Sequence, residues 1–126
     1  MKNQVSKTKS KQLPEYPDVI KALQEADMPF PGVKAWIVQA PKHQLIFFEF
    51  EPTAVVPEHS HPYPQWGILI QGGMQLTVND ATRTINEGQE YLIPAGAKHK
   101  VKKFLGTTRV IDFFSEPTRY RPKTHT

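Results

Sequence analysis

From Val33 onward the chain is cut into runs of five to eight residues rich in Ile, Val, Phe and Thr, with Gly, Pro, Asn or Asp between them. Such runs predict strands near 34–40, 44–51, 66–72, 74–79, 82–86, 90–93, 99–104 and 107–115. The stretch "VNDATR" supplies the Asn-Asp pair of a tight hairpin turn. Upstream, "PDVIKALQEADMP" predicts one short helix. Val19, Ile20, Leu23 and Met28 form its apolar side, Asp18 after Pro17 serves as N-cap, and Pro29 and Pro31 stop it. Short strands at this spacing, with no second long helix, predict an all-β sandwich or barrel.

Several strands are apolar on both faces, "LIFFEF" and "RVIDFF" being the clearest. Two answers are open. A second copy covers one sheet, making a symmetric homodimer, or the helix and the residues before it cover that face.

Composition narrows the class. A chain of 126 residues fits one domain, read as a flexible basic leader over 1–17 and a single domain over 18–126 with its β core at about 33–116. The net charge of +4 suggests nucleic acid until it is located. Lys2, Lys7, Lys9 and Lys11 account for the whole excess and have no aromatic or arginine pattern around them, so no nucleic-acid partner is expected. With no cysteine, disulfides, thiolate metal sites and cysteine nucleophiles are excluded, which fits a cytoplasmic, reducing compartment. No apolar run reaches the length of a membrane span, so no membrane partner is expected.

Three of the five histidines carry the chemistry. His43 in "PKHQ" and His125 in the tail read as solvent residues. His59 and His61 stand two apart in "PEHSHPYPQWG", and Gln65 keeps the same parity. In an extended strand all three reach one side, as a metal requires, whereas Pro62 and Pro64 allow a plain polar turn instead. A second stretch, "GQEYLIPAGAKH", has Gly88 opening a turn and a Pro94–Gly96 bend that delivers His99 to the next strand.

Together the two stretches resemble the paired motifs of the cupin superfamily: His59, His61 and Gln65 followed by Gly72, then Gly88, Pro94, Gly96 and His99. The resemblance implies an antiparallel jelly-roll (double-stranded β-helix) barrel with a short N-terminal helix. It also implies one divalent transition metal (Ni, Fe, Zn, Mn or Cu) held by His59, His61, Gln65 and His99. The family's first motif usually ends in Glu. Here Gln65 offers a neutral carbonyl oxygen, so the cation keeps its double positive charge and favours an anionic small-molecule substrate.

In the last strand Asp112 sits between Val110 and Phe114 on one face. An acid there must be paired or functional. One reading makes it a general acid or base facing a cavity, the other pairs it with Arg109, Arg119 or a backbone N–H. The stretch "DFFSEPTR" with "HSHPYPQWG" resembles the small cupins that ketonise unsaturated uronates in pectin and alginate breakdown. That resemblance makes Asp112 the proton shuttle, Phe114 a pocket wall and Arg119 the carboxylate anchor, with Arg121 as the alternative because Arg119 falls one place late. Tyr63 beside the first motif is a further aromatic wall. The same metal set would also serve an Fe(II)-dependent dioxygenase of a small organic substrate, or a non-enzymatic module that binds a sugar or acid.

Overall fold

The Asn-Asp turn forms as its residue types require. Asn79 and Asp80 both take positive φ, 48° and 70°, the pair of left-handed residues that a two-residue hairpin needs. The computed structural model describes residues 15–124, so Lys2, Lys7, Lys9, Lys11 and His125 lie outside the described residues. It shows α1 (Asp18–Lys21) and the strands β1 (Gln24–Glu25), β2 (Val33–Gln39), β3 (Gln44–Phe50), β4 (Val56–His59) and β5 (Gln65–Gln71). After them come β6 (Gly73–Val78), β7 (Ala81–Asn86), β8 (Glu90–Ile93), β9 (His99–Phe104) and β10 (Thr108–Phe114). No helix among the described residues is long and apolar enough to cross a membrane.

The strands form two sheets, one in the order β1-β2-β3-β10-β5-β8 and one in the order β4-β9-β6-β7. This corrects the expected jelly-roll barrel. Neither sheet closes: β1 and β8 edge the first, β4 and β7 the second. The reason lies in how the chain changes sheet. It turns at Gly72 between β5 and β6 and at Gly106 between β9 and β10, with φ of 87° and 89°. A Cβ on Gly72 would lie 2.4 Å from the Thr107 carbonyl oxygen. Such a corner ends one hydrogen-bond ladder before the next begins, so the result is an open two-sheet fold.

The helix is also shorter than expected. Its N-cap is Pro17 rather than Asp18, with no side-chain cap hydrogen bond, and Val19 is left 71 % exposed. Gln24 and Glu25 pair instead with Ile37 and Trp36, and this ladder overrides the helical spacing further along.

Between the sheets, alternate residues of β3 and β10 turn inward. Ile46, Phe48, Leu69, Met74, Leu76, Ile85 and Val110 are buried, and Phe50 stacks on Phe104 across the sheets at 4.5 Å between ring centroids. On the outer face of the larger sheet, Tyr16 covers Trp36 and Phe47 edge-on and its hydroxyl donates to the carbonyls of Phe48 and Val110. The neighbouring row Phe113–Trp66–Leu92 stays exposed. Among the described residues, Tyr16 thus covers the Trp36–Phe47 part of this face, and His43 stacks on Phe113 at the edge of the exposed row.

Gln44 ties the C-terminal segment to the fold. Fully buried, it donates to Gln39 Oε1 and the Tyr120 carbonyl and accepts from the Tyr120 N–H, each at 2.9 Å. Gln44→Leu leaves both Tyr120 backbone groups unpaired, at an expected cost of about 2–3 kcal/mol by denaturant unfolding. A loss under about 0.5 kcal/mol would show that water replaces the clamp.

Candidate metal centre

Cross-strand register brings the first two histidines together. His59 on β4 and His99 on β9 are direct partners, their ring centroids 4.1 Å apart. The chain then leaves β4 and crosses to the other sheet through residues 60–64, with Pro62 and Pro64 preventing strand. Convergence therefore comes from this crossing and not from strand parity alone. The bend after β8 fastens it: the Gly96 N–H donates to the His61 carbonyl at 2.8 Å. The ligand nitrogens of His59, His61 and His99 all lie within 4.8 Å of one another.

The tautomers follow from the backbone. Nδ1 of His59, His61 and His99 lies 2.9, 2.7 and 2.9 Å from the carbonyls of Pro57, Tyr63 and Ala97. A carbonyl only accepts, so each Nδ1 carries a proton, and in the neutral ring that leaves Nε2 as the lone pair a cation would use. His99 Nε2 is buried with no hydrogen-bond partner. His61 Nε2 faces Gln65 Oε1 at 3.1 Å, while Gln65 Nε2 donates to Asp112 Oδ2 at 3.0 Å. Two acceptors thus face each other beside an orphaned third. A cation between them would relieve this, since 3.1 Å is about the separation of neighbouring donors held roughly 2.1 Å from one first-row ion. The cluster is able to coordinate one divalent transition metal.

Burial lowers the pKa of His59 and brings His99 down to about 4, against the hydrogen bonds to the Pro57 and Ala97 carbonyls, with the Arg119 charge and His61 adding to the lowering of both and His59 to that of His99. Both rings are therefore neutral at pH 7 and available as ligands.

Asp112 meets neither Arg109 nor Arg119. Arg109 is held on the outer face by Glu49 Oε2, at 3.0 Å from Nε and 2.7 Å from Nη2, and by Gln71 Oε1. Asp112 takes Gln65 on one oxygen and the Tyr91 hydroxyl on the other, at 2.6 Å. The Tyr91 contact depends on a missing side chain. Asp112, Gly67 and Tyr91 are register partners across β10, β5 and β8, and a Cβ on Gly67 would sit 2.1 Å from Asp112 Oδ1 and 2.4 Å from Tyr91 Cζ. Tyr91 and Gly67 were not singled out from the sequence. A lone glycine inside the apolar strand "QWGILI" was the available signal of a close approach.

A cavity of about 570 Å³ lies between the sheets. Its polar lining includes His59, Gln65, Tyr91, His99, Asp112 and both Arg119 and Arg121; its apolar lining includes Phe48, Phe50, Met74, Leu76 and Val110. Arg119 Nε is buried without a partner, and its guanidinium lies over Tyr120 and Phe114, 5.1 and 5.8 Å from the ring centroids. Tyr63 and Phe114 do not line the cavity. Tyr63 stacks on His61 at 4.6 Å, and Phe114 is fully buried beneath His61, Tyr63 and Tyr120. They back the ligands.

Burial raises the Asp112 pKa to about 7 against the two hydrogen bonds, which lower it. The folded chain then binds this proton more tightly than the unfolded chain. Its contribution to stability is complete below about pH 4 and lost as pH rises through about 7. Compared with Asp112→Asn, metal-free wild type should therefore lose on the order of a few kcal/mol between about pH 4 and about pH 8 in urea unfolding. A gap between the two that stays constant over that range would show that Asp112 is not raised.

Residues 46–114, more than half of the chain, match the cupin-domain family model. The chain belongs to the cupin family. Among curated proteins none matches the sequence of this cupin. Solved structures do. KdgF from Halomonas sp. is 25 % identical, with 75 % of this chain and 86 % of that chain covered and a TM-score of 0.67. An RmlC-like cupin from Shewanella frigidimarina is 19 % identical, covering 84 % and 94 %, with a TM-score of 0.71. Bacillus subtilis oxalate decarboxylase, described for its Mn(II) centres, is 17 % identical at a TM-score of 0.67, covering 79 % of this cupin and 29 % of that chain. This cupin thus spans under a third of the decarboxylase, and the two less identical matches speak for the fold alone.

Proposed function

We propose that this cupin is a metal-dependent enzyme that opens and ketonises 4,5-unsaturated uronates. One observation carries the reading: a buried carboxylate, Asp112, and a guanidinium with an unpaired buried nitrogen, Arg119, line the same cavity as His59 and His99 of the imidazole cluster. The resemblance of "DFFSEPTR" and "HSHPYPQWG" to uronate-ketonising cupins supports it.

A divalent cation held by His59, His61, His99 and Gln65 would supply Lewis-acid stabilisation of negative charge developing on a substrate oxygen. The chain's own groups do the rest. Arg119 pairs its N–H donors with the substrate carboxylate and orients the ring, a role Arg121 would take only if Arg119 proves dispensable. The Asp112 carboxylate accepts the proton of the anomeric hydroxyl as the C1 carbonyl forms and the bond from C1 to the ring oxygen breaks. It then returns that proton to C4, leaving a ketone at C5. The reaction is an isomerisation with no co-reactant and no proton left over. Tyr63 and Phe114 position the ligands and Arg119. The exposed Phe113–Trp66–Leu92 row is the face over which a second copy would make the homodimer.

The apolar wall formed by Phe48, Phe50, Met74, Leu76 and Val110 favours one other reading, an Fe(II)-dependent dioxygenase acting on an apolar ring. A screen of unsaturated uronates, diketones and phenols, each with and without O2, separates the two. Uronate turnover independent of O2 is expected. Oxygen uptake with phenols or diketones would select the dioxygenase, and binding without turnover would leave a small-molecule binding module.

A further inference from the structure

Gln65 stands where the cupin motif usually has Glu, and its surroundings explain the difference. Its nitrogen lies 3.0 Å from Asp112 Oδ2. A glutamate at the same place would set two carboxylate oxygens against each other in a site where Asp112 is 3 % exposed, an arrangement that burial makes costly. The Gln65 amide avoids this because its two ends differ: the N–H group satisfies Asp112 and the oxygen is turned toward His61. Asp112 in turn is fixed from its other side by Tyr91, which reaches it only because Gly67 has no side chain.

We infer that Gln65 and Asp112 are a matched donor–acceptor pair that decides which end of the Gln65 amide meets the cation, with Tyr91, passing over Gly67, as the positioning residue that holds the pair in register. The inference rests on the reading that Gln65 and the three histidines share one metal. An amide free to flip would present its NH2 to the cation for part of the time, and NH2 is no ligand. Locking the flip removes that loss, so Tyr91 contributes to metal affinity without touching the metal.

The test is a competition titration with Ni2+ on chelator-stripped full-length protein. Four variants are compared with wild type: Tyr91→Phe, Asp112→Asn, Gln65→Glu and the double variant Gln65→Glu/Asp112→Asn. Tyr91→Phe is expected to weaken Ni2+ binding about 10-fold or more, because Asp112 loses its second anchor and carries the Gln65 amide out of register, a larger loss than the roughly twofold that free flipping alone would give. Asp112→Asn alone should change it little, because an asparagine oxygen still accepts from Gln65 while its nitrogen donates to the Tyr91 oxygen. In the Gln65→Glu background the same change should raise affinity by about 10-fold or more, since the asparagine amide then donates to the glutamate carboxylate. A general loss of packing cannot produce such dependence on the partner, which is the signature of a direct pair.

If wild type binds Ni2+ tightly but Asp112→Asn acts equally in both backgrounds, within about twofold, the pairing is wrong. If Tyr91→Phe binds as wild type does, the role of Tyr91 is wrong. If wild type binds no Ni2+, Mn2+, Zn2+ or Fe2+ at all, the failure belongs to the shared metal centre.

Discussion

Asp112→Asn should lower turnover of an unsaturated uronate about 1000-fold while the protein still binds one metal ion per chain. The size follows from what a positioned acid–base group supplies, roughly two to four powers of ten. Retention of metal follows from geometry. An asparagine at this position fills the same volume, accepts from Gln65 Nε2 and donates to the Tyr91 hydroxyl oxygen, so the network of Tyr91, residue 112 and Gln65 survives with one donor reversed. What disappears is a group able to accept the proton and give it back. Steady-state kinetics and metal analysis on the same preparation make the check. Turnover within about tenfold of wild type would remove Asp112 from the chemistry, and parallel loss of metal and turnover would make its role structural.

Gly67→Ala should destabilise the protein by about 3 kcal/mol or more, lowering the midpoint of thermal unfolding by about 10 °C. The added methyl would overlap Asp112 Oδ1 at 2.1 Å, Tyr91 Cζ at 2.4 Å and the Tyr91 hydroxyl at 2.5 Å. Both side chains are buried, Tyr91 4 % and Asp112 3 % exposed, and are bonded to each other, so either can make way for the methyl only by giving up that contact. The cost therefore adds steric displacement to a broken hydrogen bond and a buried carboxyl left short of one partner. Serine at position 67 should be no better, since its Cβ makes the same contacts. Calorimetry on metal-free protein reads the effect directly, and a midpoint within about 2 °C of wild type would show that β5 can shift to admit the methyl.

How much of this was legible in the sequence depended on the range of the interaction. Strands with clear apolar runs and turn punctuation were legible, including the Asn79–Asp80 hairpin, because alternation and left-handed turn residues act locally. β4 was not, since "VPEH" carries Pro57 and only four residues. The end of α1 was not, because the pairing of Gln24 and Glu25 with β2 is a tertiary event. Closure was misread for a similar reason. Corner glycines such as Gly72 are visible in sequence, whereas whether a ladder continues past them depends on which edges meet.

The site divides the same way. His59, His61 and His99 stand in recognisable spacing, and Asp112 betrays itself as an acid in an apolar strand. Tyr91 becomes meaningful only with the order β10-β5-β8, which places it across Gly67 from Asp112. Phe114 and Tyr63, read as pocket walls, are absent from the cavity lining, because Tyr63 stacks on His61 and Phe114 is packed beneath both, contacts that neither position in the sequence announces.

X-ray absorption on untagged protein loaded with Ni2+, alongside elemental analysis of the protein as purified, tests the central claim most directly. The account predicts one divalent first-row ion per chain, with three imidazole nitrogens and one amide oxygen at about 2.1 Å. A protein that carries no metal and takes up none of Ni2+, Mn2+, Zn2+ and Fe2+, or a spectrum without three imidazoles, would contradict it.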